Sequence, residues 1–160
     1  MQNKPLHWLA VGALILAIGA AHVLAMRPGH GWGGDFAQYV HHAKNLVEGV
    51  PYADTGYLYN PAYPQVGPPA YPPGTALVLA PVYWAAGLNL EAMKCAMIAC
   101  FLDFLLAVFL CFRDELAPDP LAALVAVLGL NHFFLAETSQ IRSDVPFLAF
   151  LYMALFLLRR

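Results

Sequence analysis

Charge is what this sequence lacks most. Asp, Glu, Lys and Arg make up only 11% of its 160 residues, against 61% for the apolar set, and mean hydropathy is +0.60. An ordinary soluble domain carries about a quarter charged residues, so a water-soluble fold of this length is excluded. The net charge of −2 and a pI near 6.3 remove the basic surface that nucleic acid would need. Cysteine is sparse and badly spaced for chemistry. Cys95, Cys100 and Cys111 lie in one apolar stretch with neither C-x-x-C spacing nor a nearby His pair, so neither a zinc site nor a disulfide framework is signalled. They read as buried small hydrophobes. Internal repeats, low-complexity tracts, G-x-x-x-x-G-K-[ST], G-x-S-x-G and H-E-x-x-H are all missing, which leaves a soluble nucleotide-dependent mechanism without support.

What is present is long apolar runs. Crossing a bilayer takes about 20 apolar residues, and four runs approach that length: 6–26, 93–112, 121–136 and 145–158. The first is longer than a signal-peptide core of about 7 to 15 residues, and only Lys4 charges the segment before it; it reads as an uncleaved anchor. The expected fold is therefore all-α and integral to the membrane, a single transmembrane module over 1–160. About four spans frame a long outer loop, 27–92. Lys and Arg divide evenly between the two sides, so the positive-inside rule does not orient the chain. Parity still groups 27–92 with 137–144 on one face.

The long loop has internal order. Phe36, Val40, Ala43 and Val47 recur at helical spacing, with Gln38, His41, Asn45 and Glu48 on the other faces and Gly49 after the end, the pattern of an amphipathic helix in the membrane interface. From Pro51 to Gly74 the chain holds Tyr52, Tyr57, Tyr59, Tyr63 and Tyr71 among seven prolines, a composition for turns and extended segments. Residues 75–90 are apolar but interrupted by Pro81 and Gly87; they read as an oblique or partly inserted helix.

The polar residues are few enough to weigh singly. Asp35 precedes the amphipathic helix, and Ser143 and Asp144 precede the last span, with Pro146 in its first turn. On local sequence alone these are helix caps. Asp103 lies mid-span, where a charge costs about 2.5 to 3.5 kcal/mol on the insertion scale; a buried structural hydrogen bond is the expectation. His132, Glu137 and Asn131 sit at the outer end of the third span, as snorkelling groups or as pocket lining. His41 and His42 are adjacent and cannot form an i,i+4 metal pair; they read as a solvated polar face.

Taken in order, "DFAQYVHHAKNLVEGVPY", "YPPGTALVLAPVYWAAGLNLEAMK" and "SQIRSDVPFLAF" resemble the N-terminal part of a GT-C-type glycosyltransferase. The family is that of the dolichyl-phosphate-mannose-protein mannosyltransferases and aminoarabinose transferases, glycosyltransferase family 39. The resemblance implies a partial GT-C fold in the cytoplasmic membrane with its active face extracytoplasmic. It implies transfer of a sugar from a polyprenyl-phosphate carrier to an acceptor hydroxyl, with Asp35 and Asp144 as the catalytic carboxylates. Lys94 and Arg142 then become candidate partners of the carrier's phosphate, and Tyr39, Tyr71 and Glu137 candidate substrate contacts. No cofactor is certain, and a divalent metal is left open. The family's first-loop motif is commonly Asp-Glu, whereas Phe36 follows Asp35 here, so a protein, a lipid or a glycan all remain as acceptor. Such enzymes carry many more spans, so the chain is expected to be the N-terminal module of a larger enzyme. Two alternatives stand beside this: a small non-catalytic membrane subunit or scaffold, and a relative of the family 87 mannosyltransferases, which share a first-loop Asp and a "YPP" element.

Overall fold

In the computed structural model, residues 4–31, 34–56, 62 and 70–159 are described. Tyr57, Tyr59, Tyr63 and Gly33 lie outside them. The described chain is all-helical, with seven helices: α1 Lys4–Leu24, α2 Phe36–Glu48, α3 Pro73–Ala86, α4 Leu90–Phe112, α5 Pro118–Gly129, α6 His132–Thr138 and α7 Asp144–Leu158.

Two helices are long and apolar enough to cross a membrane, α1 over His7–Leu24 and α4 over Leu90–Phe112. A third crossing needs α5 and α6 taken together as one span, bent by 53° where they meet. The run read as a single third span is thus broken. Asn131 breaks it, because its side-chain oxygen accepts from the Phe133 N–H at 2.8 Å and caps a new helix, giving the backbone a competing partner at the junction. At α7 the apolar helix is 15 residues, or about 22 Å at 1.5 Å per residue. With 14 residues, α3 is about as short.

Two apolar clusters hold the helices. The larger joins α1, α4, α5 and α7 through Val11, Ile18, Phe101, Leu105, Val125 and Ala149. Its closest approach is at Gly129, where an added Cβ would run into Ile18; the missing side chain lets α5 lie against α1. His22 secures the same contact, with Nε2 on the Gly129 carbonyl at 2.7 Å and Nδ1 on Thr138 Oγ1 at 2.7 Å. The smaller cluster packs α2 onto α3 and α4 through Val40, Ala43, Leu79, Met93, Met97 and Ile141. This α2–α3 end gathers the chain after α1, the start of α4 and the α6–α7 loop. At the opposite end lie the start of α1, the α4–α5 turn and the end of α7.

Of the cysteines, only Cys111 is buried; Cys100 is half-buried and Cys95 exposed. At about 100° per residue, Cys95 stands about 130° from the middle of the core face formed by the buried Met93, Lys94, Met97 and Ile98, which leaves it exposed.

Candidate functional site

Two short polar motifs meet at the α2–α3 end. Gly34, at φ 92° in a region that L side chains avoid, turns the chain into α2 and leaves Asp35 exposed at its start. The Asp35 carbonyl opens the helix by accepting from the N–H groups of Gln38 and Tyr39. Its carboxylate makes no cap bond. Instead Oδ1 accepts from the Tyr71 hydroxyl at 2.9 Å, so the cap reading of the side chain gives way to a tertiary contact across 36 residues.

Tyr71 in turn is fixed at its backbone. The buried His42 ring accepts the Tyr71 N–H on Nε2 at 3.3 Å and donates from Nδ1 to the Tyr52 carbonyl at 2.8 Å, an arrangement that specifies the tautomer. The Tyr52 hydroxyl donates to the Tyr71 carbonyl at 2.9 Å, and its ring stacks on His42 at 4.2 Å. Burial, with Tyr39 nearby, pushes the Tyr52 phenol above its ordinary value, so its proton stays on the donor. Asn45, also buried, donates to the Pro51, Tyr52 and Asp54 carbonyls. His42 and Asn45 are therefore struts of this loop, which corrects their reading as a solvated face. The i,i+3 spacing of His42 and Asn45 was the available signal, since it puts both on one side of α2 facing the loop.

The second motif arrives from α7. Ser143 occupies the N-cap position without capping; its Oγ accepts from the Tyr39 hydroxyl at 3.1 Å. Tyr39 and Tyr71 meet edge to face at 5.4 Å between ring centroids. A continuous chain of contacts thus runs Asp35, Tyr71, Tyr39, Ser143, and Asp144 is the next residue. Asp144 is exposed in the first turn of α7 and lines a cavity of about 310 Å³ with Tyr39, Thr75, Ser143 and Phe150.

Arg142 and Glu137 pair beside it at 3.1 Å. Glu137 is buried, while Arg142 keeps 46% of its side chain exposed and commits only Nη1 to the pair. Behind them the Ile141 N–H donates to His30 Nε2 at 2.8 Å, and His30 stacks on Phe36, tying the loop after α1 to the α6–α7 loop.

Lys94 is not brought to this opening. It is fully buried, and its ammonium donates to the carbonyls of Arg27, at 2.8 Å, and Gly29; it clamps the chain leaving α1. A larger cavity of about 620 Å³, lined by Phe36, Val40, His41, Lys44, Tyr83 and Leu88, includes neither acidic residue. Among the described residues no three His, Cys, Asp or Glu side chains gather where they would hold a metal ion.

What the α2–α3 end offers chemically is a carboxylate held by a phenol, a second carboxylate at a helix start that lines the cavity, and an exposed guanidinium paired with a buried acid. Compared with protein-family models, curated proteins and solved structures, the chain matches none.

Proposed function

We propose that this chain is a module of a membrane glycosyltransferase that moves a sugar from a polyprenyl-phosphate carrier to an acceptor hydroxyl at the outer membrane face. In this reading α5 with α6 forms the third span and α7 the fourth, and the α2–α3 end lies outside. The observation that carries the reading is the run of contacts from Asp35 through Tyr71 and Tyr39 to Ser143. It joins two acidic motifs more than a hundred residues apart, and Tyr39 and Asp144 line one cavity where the run ends.

Transfer from a sugar phosphate breaks the bond between C1 and the phosphate oxygen while the acceptor oxygen bonds to C1 and gives up its proton. Asp35 takes that proton. Tyr71 occupies Oδ1, which leaves Oδ2 to face the acceptor, and a positioned base contributes about 10²- to 10⁴-fold. The departing phosphate carries the developing charge, and Arg142, held by Glu137 through one nitrogen, has guanidinium N–H groups left to stabilise it. Asp144 lines the cavity and orients the sugar hydroxyls.

The rival reading is a non-catalytic scaffold, favoured by Lys94 and His42, whose side chains serve only the fold. One experiment separates the two. The protein is expressed in full and assayed for transfer from a polyprenyl-phosphate sugar; the Asp35→Asn variant is expected to accumulate normally and to lose transfer. Transfer by the Asn variant at close to the parental rate would remove Asp35 as a base and leave the scaffold.

A further inference from the structure

Asp103 plays no part in that chemistry. It sits at the middle of α4, half-buried, and makes no hydrogen bond or ion pair among the described residues, so the structural hydrogen bond expected of it is not made within the chain. Asp103 lines a groove of about 680 Å³ between α1 and α4, walled also by Leu9, Gly12, Leu16, Leu102 and Leu106. Leu9 and Leu16 are 72% and 71% exposed. Nothing lies within 4 Å of the place where a Cβ on Gly12 would stand, so a neighbouring helix can come close to the backbone there.

A carboxyl facing hydrocarbon at mid-span is costly and calls for a hydrogen-bonding partner at its own depth. For two copies inserted in the same orientation, the axis of a symmetric pair runs along the bilayer normal and interface residues of equal depth face each other across it. A protonated carboxyl both donates and accepts. Asp103 is therefore complementary to itself at that depth and no other side chain is needed. α1 supplies no competing group, since between His7 and His22 it has no residue more polar than Trp8.

We infer that the α1–α4 groove seats a second copy of this chain, with the two Asp103 carboxyls hydrogen-bonded across the axis. The inference does not rest on the catalytic reading, because the groove lies away from the α2–α3 end.

The test uses the purified full chain, labelled in two colours and reconstituted into phosphatidylcholine vesicles, with energy transfer followed as protein is diluted with lipid. Asp103→Asn, whose amide also donates and accepts, is expected to keep the pairing. Asp103→Leu should weaken it on the order of tenfold, the scale of one or two hydrogen bonds between membrane helices. A second measurement covers the case in which Asp103→Leu fails to accumulate. With Cys95, Cys100 and Cys111 replaced by Ala, Leu106→Cys should form an oxidised dimer in native membranes, whereas Val127→Cys, exposed on α5, should not. Monomers at every dilution, an Asp103→Leu variant that pairs like the parent, equal crosslinking from both cysteines, or a Leu106→Cys adduct of any mass other than twice the chain's would overturn the inference.

Discussion

The two ends of this molecule spend their polar groups differently. At the α2–α3 end His22, His42, Asn45 and Lys94 are buried, and each is satisfied by backbone or hydroxyl partners outside its own helix. At the opposite end the polar groups are ion pairs on the rim. Arg159 meets Glu115 at 3.0 Å with both side chains about half exposed, and Arg113 reaches Asp114 only at 3.7 Å. Arg113 even leaves its buried Nε without a hydrogen bond. Burying a polar group costs free energy unless its bonds are made with good geometry, so a network that makes them fixes position more than it adds stability. Position is what a reaction needs, and it is specified at one end only.

The comparison breaks most visibly in activity. Asp35→Asn should lower sugar transfer by about 10²- to 10⁴-fold with little effect on folding, since the carboxylate makes no cap bond. Glu115→Gln, at the other end, should leave transfer at the parental rate. Rates measured with a lipid-linked sugar donor check both.

Next in size is a loss of stability. His42→Ala removes the acceptor of the Tyr71 N–H, the donor to the Tyr52 carbonyl and the ring stacked on Tyr52. Leaving such groups buried and unpaired costs about 2 to 3 kcal/mol, which unfolding in detergent micelles would register. Tyr71→Phe is gentler. It keeps the backbone bonds and the edge contact with Tyr39 while deleting the hydroxyl on Asp35. A hydrogen bond to a charged group contributes about 1.5 kcal/mol at the exposed end of its range, so transfer should fall about tenfold and the melting temperature should hold. A Tyr71→Phe variant as slow as Asp35→Asn would mean that the phenol, not the carboxylate, handles the proton.

Helical character, and two helices long and apolar enough to cross a membrane, were legible from composition because apolar run length is a property of the chain alone. α1 and α4 fall close to the runs read from sequence. The break between α5 and α6 was not legible, because the apolar run resumes past Asn131 with Phe133, Phe134 and Leu135 and so reads as continuous. The same limit applies to the site. Asp35 and Asp144 drew notice as acids next to helices, yet nothing local to Tyr71 or Ser143 shows that a hydroxyl of one reaches Asp35 and the other receives Tyr39. Lys94 misled for the opposite reason. A Lys at the start of a span reads as a snorkelling or ligand-binding cation, and its use as a clamp on Arg27 and Gly29 appears only when the loop is folded back over it.

The smallest effects make the sharpest comparison, because the described residues include two Arg–Glu pairs of nearly equal length. Arg142–Glu137 measures 3.1 Å and Arg159–Glu115 3.0 Å. What differs is the acid, since the Glu137 side chain is 9% exposed and that of Glu115 is 56%. An exposed pair is screened by water and salt and costs entropy to hold, so Glu115→Gln should change unfolding stability by less than about 0.5 kcal/mol, an effect that disappears as ionic strength rises. Glu137 has surrendered much of its hydration and depends on Arg142 for its compensation. Glu137→Gln should therefore cost about 1 kcal/mol, discounted for the exposure of the arginine, and the cost should persist in high salt. Measured side by side at low and high salt, the two variants test whether polar groups at the α2–α3 end are held by burial. Equal and salt-sensitive effects would place both pairs on an ordinary solvated rim and leave Arg142 no better oriented than Arg159.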